Sequence, residues 1–462
     1  RMRTSRTLID SAATPSRGGR TGPHHRDDAA QWARALLLAR DPPVPPGPTP
    51  SGLYAVDRMT LPPSLDRRTA PLPFHVMAKP GGAICNLDCS YCYYLSKELL
   101  YPGSRFRMAQ ATLDAYVRQM IEAQPGREVT FAWQGGEPTR LGIHFFEQAL
   151  DLQRTYAPPG MRIVNTMQTN GTLLDDAWGT FLASNGFLVG ISIDGPRALH
   201  DAYRVDKAGN GTFDRVMAGL EVLKRHGVAW NVLAAVHQAN AAFGAEVYRS
   251  LRDDVGASFL QFIPIVEPHA NAQDPHGAPV NAQAVSGEQY GRFMTDVFDT
   301  WVRHDVGRVF VQLFDVALAA WLDQPRGLCV FESTCGSALA LEHTGDVYSC
   351  DHFVNAEHHL GNLHELPLVE LATSERQRAF GAAKRDTLPA KCRSCSVRFV
   401  CNGGCPKDRT LTTPHGEPGL NYLCAGYEQF FTYVGPYMRE MVAAIKARRP
   451  PSSIQAKLPS WD

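Results

Sequence analysis

Nothing in this 462-residue chain is long and apolar enough to cross a bilayer as a helix. Apolar runs such as residues 187–193 stop far short. An excess of either charge is also missing: 46 Lys and Arg balance 46 Asp and Glu. The sequence therefore offers no footing for a nucleic-acid or anionic-membrane partner. No charged-then-apolar leader opens the chain, so the expected location is cytoplasmic. Lys and Glu are absent from residues 1–70, which instead hold many Arg and the run DPPVPPGPTP. No helix or sheet interior accepts that proline density, so residues 1–70 are expected to be a disordered leader. Cysteine is absent before Cys85 and again between Cys92 and Cys329.

What is present is concentrated. All eleven cysteines fall into tight groups: Cys85, Cys89 and Cys92; Cys329, Cys335 and Cys350; then Cys392, Cys395, Cys401, Cys405 and Cys424. An odd number cannot form a purely intramolecular disulfide framework without a thiol left over. Gaps of two to five residues are metal-ligand spacing in a reducing compartment.

From residue 74 the pattern alternates. Apolar, β-branched runs at 74–78, 129–133, 163–168, 188–193, 230–236 and 259–263 read as strands. Helical periodicity fills 111–123, 143–156, 175–184, 213–226 and 246–255. Near-continuous apolar strands alternating with helices predict an α/β fold with a parallel sheet covered by helices. Six strands fit a partial (β/α)6 barrel like that of triosephosphate isomerase better than a full eight-stranded one. In such folds the chemistry sits at the carboxyl ends of the strands. The polar motifs do follow strands: ICNLDCSYC, QGGEP, QTNGT and SIDGP follow the first four in turn. We expect this barrel over 71–300, a helical linker over 301–328, a small metal-held domain over 329–430, and a C-terminal helix and tail over 431–462.

The segment Cys85-Asn-Leu-Asp-Cys89-Ser-Tyr-Cys92 supplies three thiolates within eight residues. Three ligands to a four-iron cluster leave one iron open. A structural zinc knot is the plainer alternative, but it asks for a fourth Cys or His nearby, and no His occurs between His75 and His144. The spacing, with aromatic Tyr91 before the last Cys, resembles the radical S-adenosylmethionine superfamily. The resemblance implies that the methionine amine and carboxylate of S-adenosylmethionine chelate the open iron. Reduction then gives a 5′-deoxyadenosyl radical. Gly135, Gly136 and Glu137 resemble the family's methionine-binding motif, with Gln134 beside them. Ser192 and Asp194 are candidates for a ribose or amino-acid moiety, and Arg204 for the methionine carboxylate. Thr169 and Asn170 are weaker candidates.

The remaining eight thiols match two four-ligand sites. Two zinc ribbons are the plain account. However, the C-x9-G-x4-C form of Cys335, Gly345 and Cys350, followed by C-x2-C-x5-C-x3-C, resembles the iron–sulfur extension called SPASM. That resemblance implies two further [4Fe-4S] clusters, three in all. Cys329, Cys335, Cys350 and Cys405 would hold one, and Cys392, Cys395, Cys401 and Cys424 the other. Fully ligated clusters suit electron transfer.

Long stretches such as FHVMAKPGGAICNLDCSYCYYLSKELLYPGSRFRM and FLVGISIDGPRALHDAYRVDK are similar to anaerobic sulfatase-maturating enzymes. Membership implies oxidation of a sulfatase Cys or Ser to Cα-formylglycine. The radical takes a hydrogen from Cβ, a base takes the thiol or hydroxyl proton, and an electron leaves through the auxiliary clusters. Asp351, directly after Cys350, matches the family's proposed base, and Tyr94 a tyrosine near the substrate. The implied partners are an unfolded sulfatase segment or peptide and a low-potential donor such as flavodoxin or ferredoxin. A maturase that crosslinks ribosomally made peptides would share the clusters. A non-catalytic zinc-binding interaction protein is the alternative of another class.

Overall fold

The computed structural model describes residues 69–267 and 281–459. The expected leader lies outside them, apart from Thr69 and Ala70, as do residues 268–280.

The six anticipated strands form as β1 (His75–Lys79), β2 (Glu128–Trp133), β3 (Arg162–Thr169), β4 (Leu188–Ser192), β5 (Ala229–Val236) and β6 (Phe259–Pro264). They pair in sequence order, all parallel. Helices α1 (Gln110–Ala123), α2 (Ile143–Tyr156), α3 (Asp176–Ser184), α4 (Phe213–Arg225) and α5 (Gly244–Arg249) connect them. Each helix buries its apolar positions, as Phe145, Phe146 and Ala149 do on α2. The helices cover one face of the sheet, which accounts for the fully buried Val76, Ala78, Phe131, Val189 and Ile191, while the alternate positions Met77, Thr130, Ala132 and Gln168 are only half-buried.

The expected helical linker over 301–328 falls across two helices. A Ser286–Gln289 capping box opens α6 (Gly287–His304). Gly307, at φ 80°, then turns the chain into a two-residue strand, β7 (Phe310–Val311), before α7 (Gln312–Trp321).

The boundary expected at residue 329 does not interrupt the sheet. Strand β8 (Ala338–Glu342) pairs parallel with β1 along its whole length, from His75↔Ala338 to Lys79↔Glu342. Strands β9 (Asp346–Tyr348) and β10 (His359–Asn362) add antiparallel, giving ten strands in the order β10-β9-β8-β1-β2-β3-β4-β5-β6-β7. The segment ALALE is alanine-rich and carries little strand propensity, so pairing with β1 rather than local preference makes it a strand.

Two helices organise the C-terminal cysteines. Helix α8 is Glu375–Asp386, and α9 is Cys424–Lys446. Helix α9 begins earlier than the hydrophobic run suggests. It crosses α6 where Gly287, Gly291 and Gly426 meet, and a Cβ on Gly426 would lie 1.9 Å from the Gly287 carbonyl oxygen. The expected free tail instead docks, with Ile454 of the short helix Pro451–Lys457 buried in the core.

Candidate active site

The loop carrying Cys85, Cys89 and Cys92 follows β1, and backbone bonds fix it on two sides. The Gly136 and Glu137 amides donate to the Gly82 and Ile84 carbonyls, at 2.8 and 3.1 Å. On the other side the Asp88 and Ser90 amides donate to Val205 and Tyr203. This explains the glycine pair. Gly135 sits at φ 130°, and a Cβ on Gly136 would lie 2.1 Å from the Ile84 oxygen. Gln134 meets Lys79 Nζ at 3.4 Å.

Glu137 has a structural task that the sequence does not show. Its buried carboxylate already accepts four hydrogen bonds: from the Thr139 amide and hydroxyl, the Thr169 hydroxyl and the Asn170 amide. Burial raises its pKa, against the pull of those donors. Three of these bonds fall on Oε1 and one on Oε2, so Glu137 braces the ends of β2 and β3 while Oε2 keeps acceptor capacity.

Asp194 is likewise an internal hub. It is fully buried, with Oδ2 accepting from the Tyr91 hydroxyl at 2.6 Å and from Arg204 Nε at 2.8 Å, while Oδ1 accepts from the Ala235 amide at 2.8 Å. Burial would raise this carboxyl, but the Arg204 guanidinium, with His237 behind it, holds it well below the usual range. A buried carboxylate persists only when so compensated. Asp194 therefore orients Tyr91 of the cysteine loop and has no open side for a ribose. Arg204 commits its Nε to Asp194 and stands 5.5 Å from the Tyr91 ring centroid. Ser192 accepts from Gln168 at 3.1 Å.

The eleven thiols are all unpaired. Cys392, Cys395, Cys401 and Cys424 line one small cavity, from which Cys405 is absent. The electrostatic neighbours of Cys350 include Cys405 and Cys329, and those of Lys384 include Cys335, Cys329 and Cys405. Helix α8 holds this second gathering together. Lys384 Nζ donates to the Cys329 and Val330 carbonyls at 2.5 and 2.8 Å, and a Cβ on Gly381 would lie 2.2 Å from the Cys335 oxygen. Burial pushes the Cys89, Cys401 and Cys405 thiols up to about 12. Crowded, half-buried thiols are costly as anions without cationic charge among them. That donor set fits iron–sulfur clusters, whose irons supply the charge.

Asp351 lies between these cysteine gatherings. It is 5% exposed, 2.5 Å from Lys79 Nζ, and accepts from the Tyr93 hydroxyl at 2.5 Å. Burial would raise its pKa, but Lys79, followed by His352, brings it below the ordinary value. Tyr94 is elsewhere: its hydroxyl donates to Glu342 and its ring lies 4.4 Å from Lys79 Nζ. Tyr93, not Tyr94, touches Asp351. The sequence reading missed Tyr93 and Lys79. Lys79 had a signal, a lysine closing an apolar strand at the end where chemistry collects.

A family model described as the radical SAM superfamily matches residues 80–240, and one described as an iron-sulfur cluster-binding domain matches 329–396. A serine-type anaerobic sulfatase-maturating enzyme of Bacteroides thetaiotaomicron is 43% identical over 396 residues, 84% of this chain and 95% of that protein. The chain belongs to the anaerobic sulfatase-maturating enzyme family. A cysteine-type member from Clostridium perfringens is 32% identical, covering 81% of this chain and all of that protein. A solved structure described as native anSMEcpe with bound AdoMet and Kp18Cys peptide superposes with a TM-score of 0.72 at 32% identity, covering 80% of this chain and 99% of the other. This member of the anaerobic sulfatase-maturating enzymes is thus a radical S-adenosylmethionine enzyme with a mixed α/β fold. None of its described helices is long and apolar enough to cross a membrane.

Proposed function

We propose that this chain oxidises a serine or cysteine of an unfolded sulfatase segment to Cα-formylglycine, with serine the favoured target. The observation that carries the reading is the Lys79–Asp351–Tyr93 cluster, one residue from Cys350 on one side and one from Cys92 on the other. The preference for serine follows the higher identity of the serine-type relative, 43% against 32%.

Cys85, Cys89 and Cys92 would hold the open-iron cluster. Cys329, Cys335, Cys350 and Cys405 would hold a second cluster, and Cys392, Cys395, Cys401 and Cys424 a third. Gln134, Gly135, Gly136, Ser192 and Arg204 would border the S-adenosylmethionine. Once bound, the first cluster and S-adenosylmethionine would supply a 5′-deoxyadenosyl radical able to take a hydrogen atom from the target Cβ, the second electron would leave to the auxiliary clusters, and a cysteine target's thioaldehyde would exchange sulfide for water.

The chain's own residues do the rest by position and charge. Asp351 accepts the target's hydroxyl or thiol proton on a carboxylate oxygen. Lys79 keeps that carboxylate ionised inside the protein. Tyr93 fixes Oδ2, so the accepting lone pairs keep one direction. Burial keeps water from competing for the proton. A low-potential donor such as flavodoxin or ferredoxin supplies the starting electron, and the cytoplasm is the compartment that fits free thiols.

The test is an anaerobic incubation of reconstituted protein, reductant and S-adenosylmethionine with paired peptides carrying Ser or Cys in the context S/C-x-P-x-R. Aldehyde product from the serine peptide is expected, and Asp351→Asn is expected to suppress it with iron content intact. Formation of 5′-deoxyadenosine without aldehyde from either peptide would overturn the reading in favour of a peptide-crosslinking activity.

A further inference from the structure

We propose that an acidic electron-carrier protein docks on the basic rim beside Cys85, built from Arg140, Lys207 and Arg215, and delivers the starting electron there. The proposal rests on reading Cys85, Cys89 and Cys92 as holders of a reducible cluster.

A solvent-open cleft reaches Cys85, and Asn86, Arg140, Leu173, Lys207 and Arg215 are among its walls. Three cations face one acid, Asp206, and that acid is paired with Arg215 at 2.8 Å. The Arg140 and Lys207 side chains have no partner among the described residues and are exposed. The rim therefore carries a local positive excess on a chain whose net charge is zero. Leu173, 40% exposed, puts an apolar contact in the same cleft. A small patch of charges around a little apolar surface is what a brief electron-transfer encounter uses, since charge sets the on-rate and fast release needs a modest interface.

The path inward is short. Asn86 follows Cys85 directly and donates to the Thr172 hydroxyl at 2.8 Å, while Asn170 donates to both the Asn86 side chain at 3.0 Å and Cys85 Sγ at 3.6 Å. These bonds join the rim to a ligand thiol without an intervening layer of side chains. The mouth over Cys392, Cys395, Cys401 and Cys424 is the competing entrance. There Lys391 is answered by Glu428 at 3.7 Å, which leaves Arg398 as the one cation without an acid among the described residues, against Arg140 and Lys207 at the rim, so less charge is free to attract an acidic partner. One electron leaves the carrier's reduced flavin and enters the group at Cys85, Cys89 and Cys92. The flavin is left oxidised by one electron, and no covalent bond forms.

The experiment compares holoenzyme with the double variant Arg140→Glu/Lys207→Glu, using reduced flavodoxin as the carrier and dithionite as a small reductant that needs no docking. Flavodoxin affinity, measured by direct titration, is expected to fall by about tenfold or more, with a weaker salt dependence. Flavodoxin-driven 5′-deoxyadenosine formation is expected to fall with it, while iron content and dithionite-driven formation stay unchanged. Unchanged flavodoxin affinity in this variant would overturn the proposal, as would the same loss arising only in Lys391→Glu/Arg398→Glu. Should wild-type holoenzyme form no 5′-deoxyadenosine even with dithionite, the reading of the first cluster fails, and the titration still decides the docking surface.

Discussion

Lys79 Nζ stands 2.5 Å from the Asp351 carboxylate, although one residue closes β1 and the other follows the β8–β9 hairpin. Burial raises the carboxyl and Lys79 lowers it, so their balance sets the protonation of the proposed base. Lys79→Met removes the lowering influence, and the Asp351 pKa must rise. The acid limb of the pH–rate profile for aldehyde formation should move to higher pH, and the rate at neutral pH should fall by about tenfold or more. Iron content should hold, and Lys79→Arg should restore part of the rate. A profile that does not move would remove Lys79 from this role.

The adjacent tyrosines should separate cleanly. Tyr93→Phe deletes a hydrogen bond to the buried Asp351 and should lower the turnover of the folded enzyme, whatever stability the lost bond costs. Tyr94→Phe deletes one to Glu342, a buried carboxylate also 3.3 Å from His343. It should cost about 1–3 kcal/mol of stability and leave the rate of the folded enzyme alone. Peptide oxidation and thermal melts on the two variants distinguish these assignments.

Gly136→Ala should cost the first cluster alone. The added methyl would meet the Ile84 oxygen at 2.1 Å, and backbone there cannot withdraw without displacing the Cys85 loop. Iron should drop from about twelve to about eight per chain, with loss of 5′-deoxyadenosine formation. Cys395→Ala should likewise remove about four irons, but from the site whose thiols share the small cavity with Cys392, Cys401 and Cys424. Iron assay and electron paramagnetic resonance separate the two losses.

His200 gives the fold a pH dependence. It is fully buried, and its pKa falls to about 4, burial being the largest cause. A depressed folded value means its stabilising contribution is complete above the unfolded histidine value of about 6.5. That contribution is lost as pH falls through the window down to about 4. The melting temperature should decline across this window, and His200→Gln should flatten part of the decline. An unaltered slope in the variant would assign the acid sensitivity to other groups.

The strands and helices were legible where local pattern and tertiary role agree. Strand β5 and helix α2 lie within a residue of the expected bounds, because a buried parallel strand and an amphipathic helix each write their period into the sequence. Strand β8 was invisible because its reason for existing is β1, more than 250 residues earlier. The cysteine groups were legible because ligand spacing is local. The tasks of Glu137 and Asp194 were not, since a carboxylate facing a cofactor and one facing Thr169 or Tyr91 look identical in sequence. The same limit hid Tyr93, because nothing in two consecutive tyrosines says which hydroxyl turns toward Asp351.

Strand β1 has a neighbour on each side, β2 and β8. The region before residue 329 is therefore not a detachable module. A chain cut there would leave the edge of β1 bare, an open template for pairing with another molecule. Grafting a different C-terminal region onto this barrel would require the newcomer to bring its own strand in register with His75–Lys79. Heat or denaturant should accordingly melt the two regions in one transition, and exchanging parts between relatives should succeed only with junctions placed outside the β1–β8 pair.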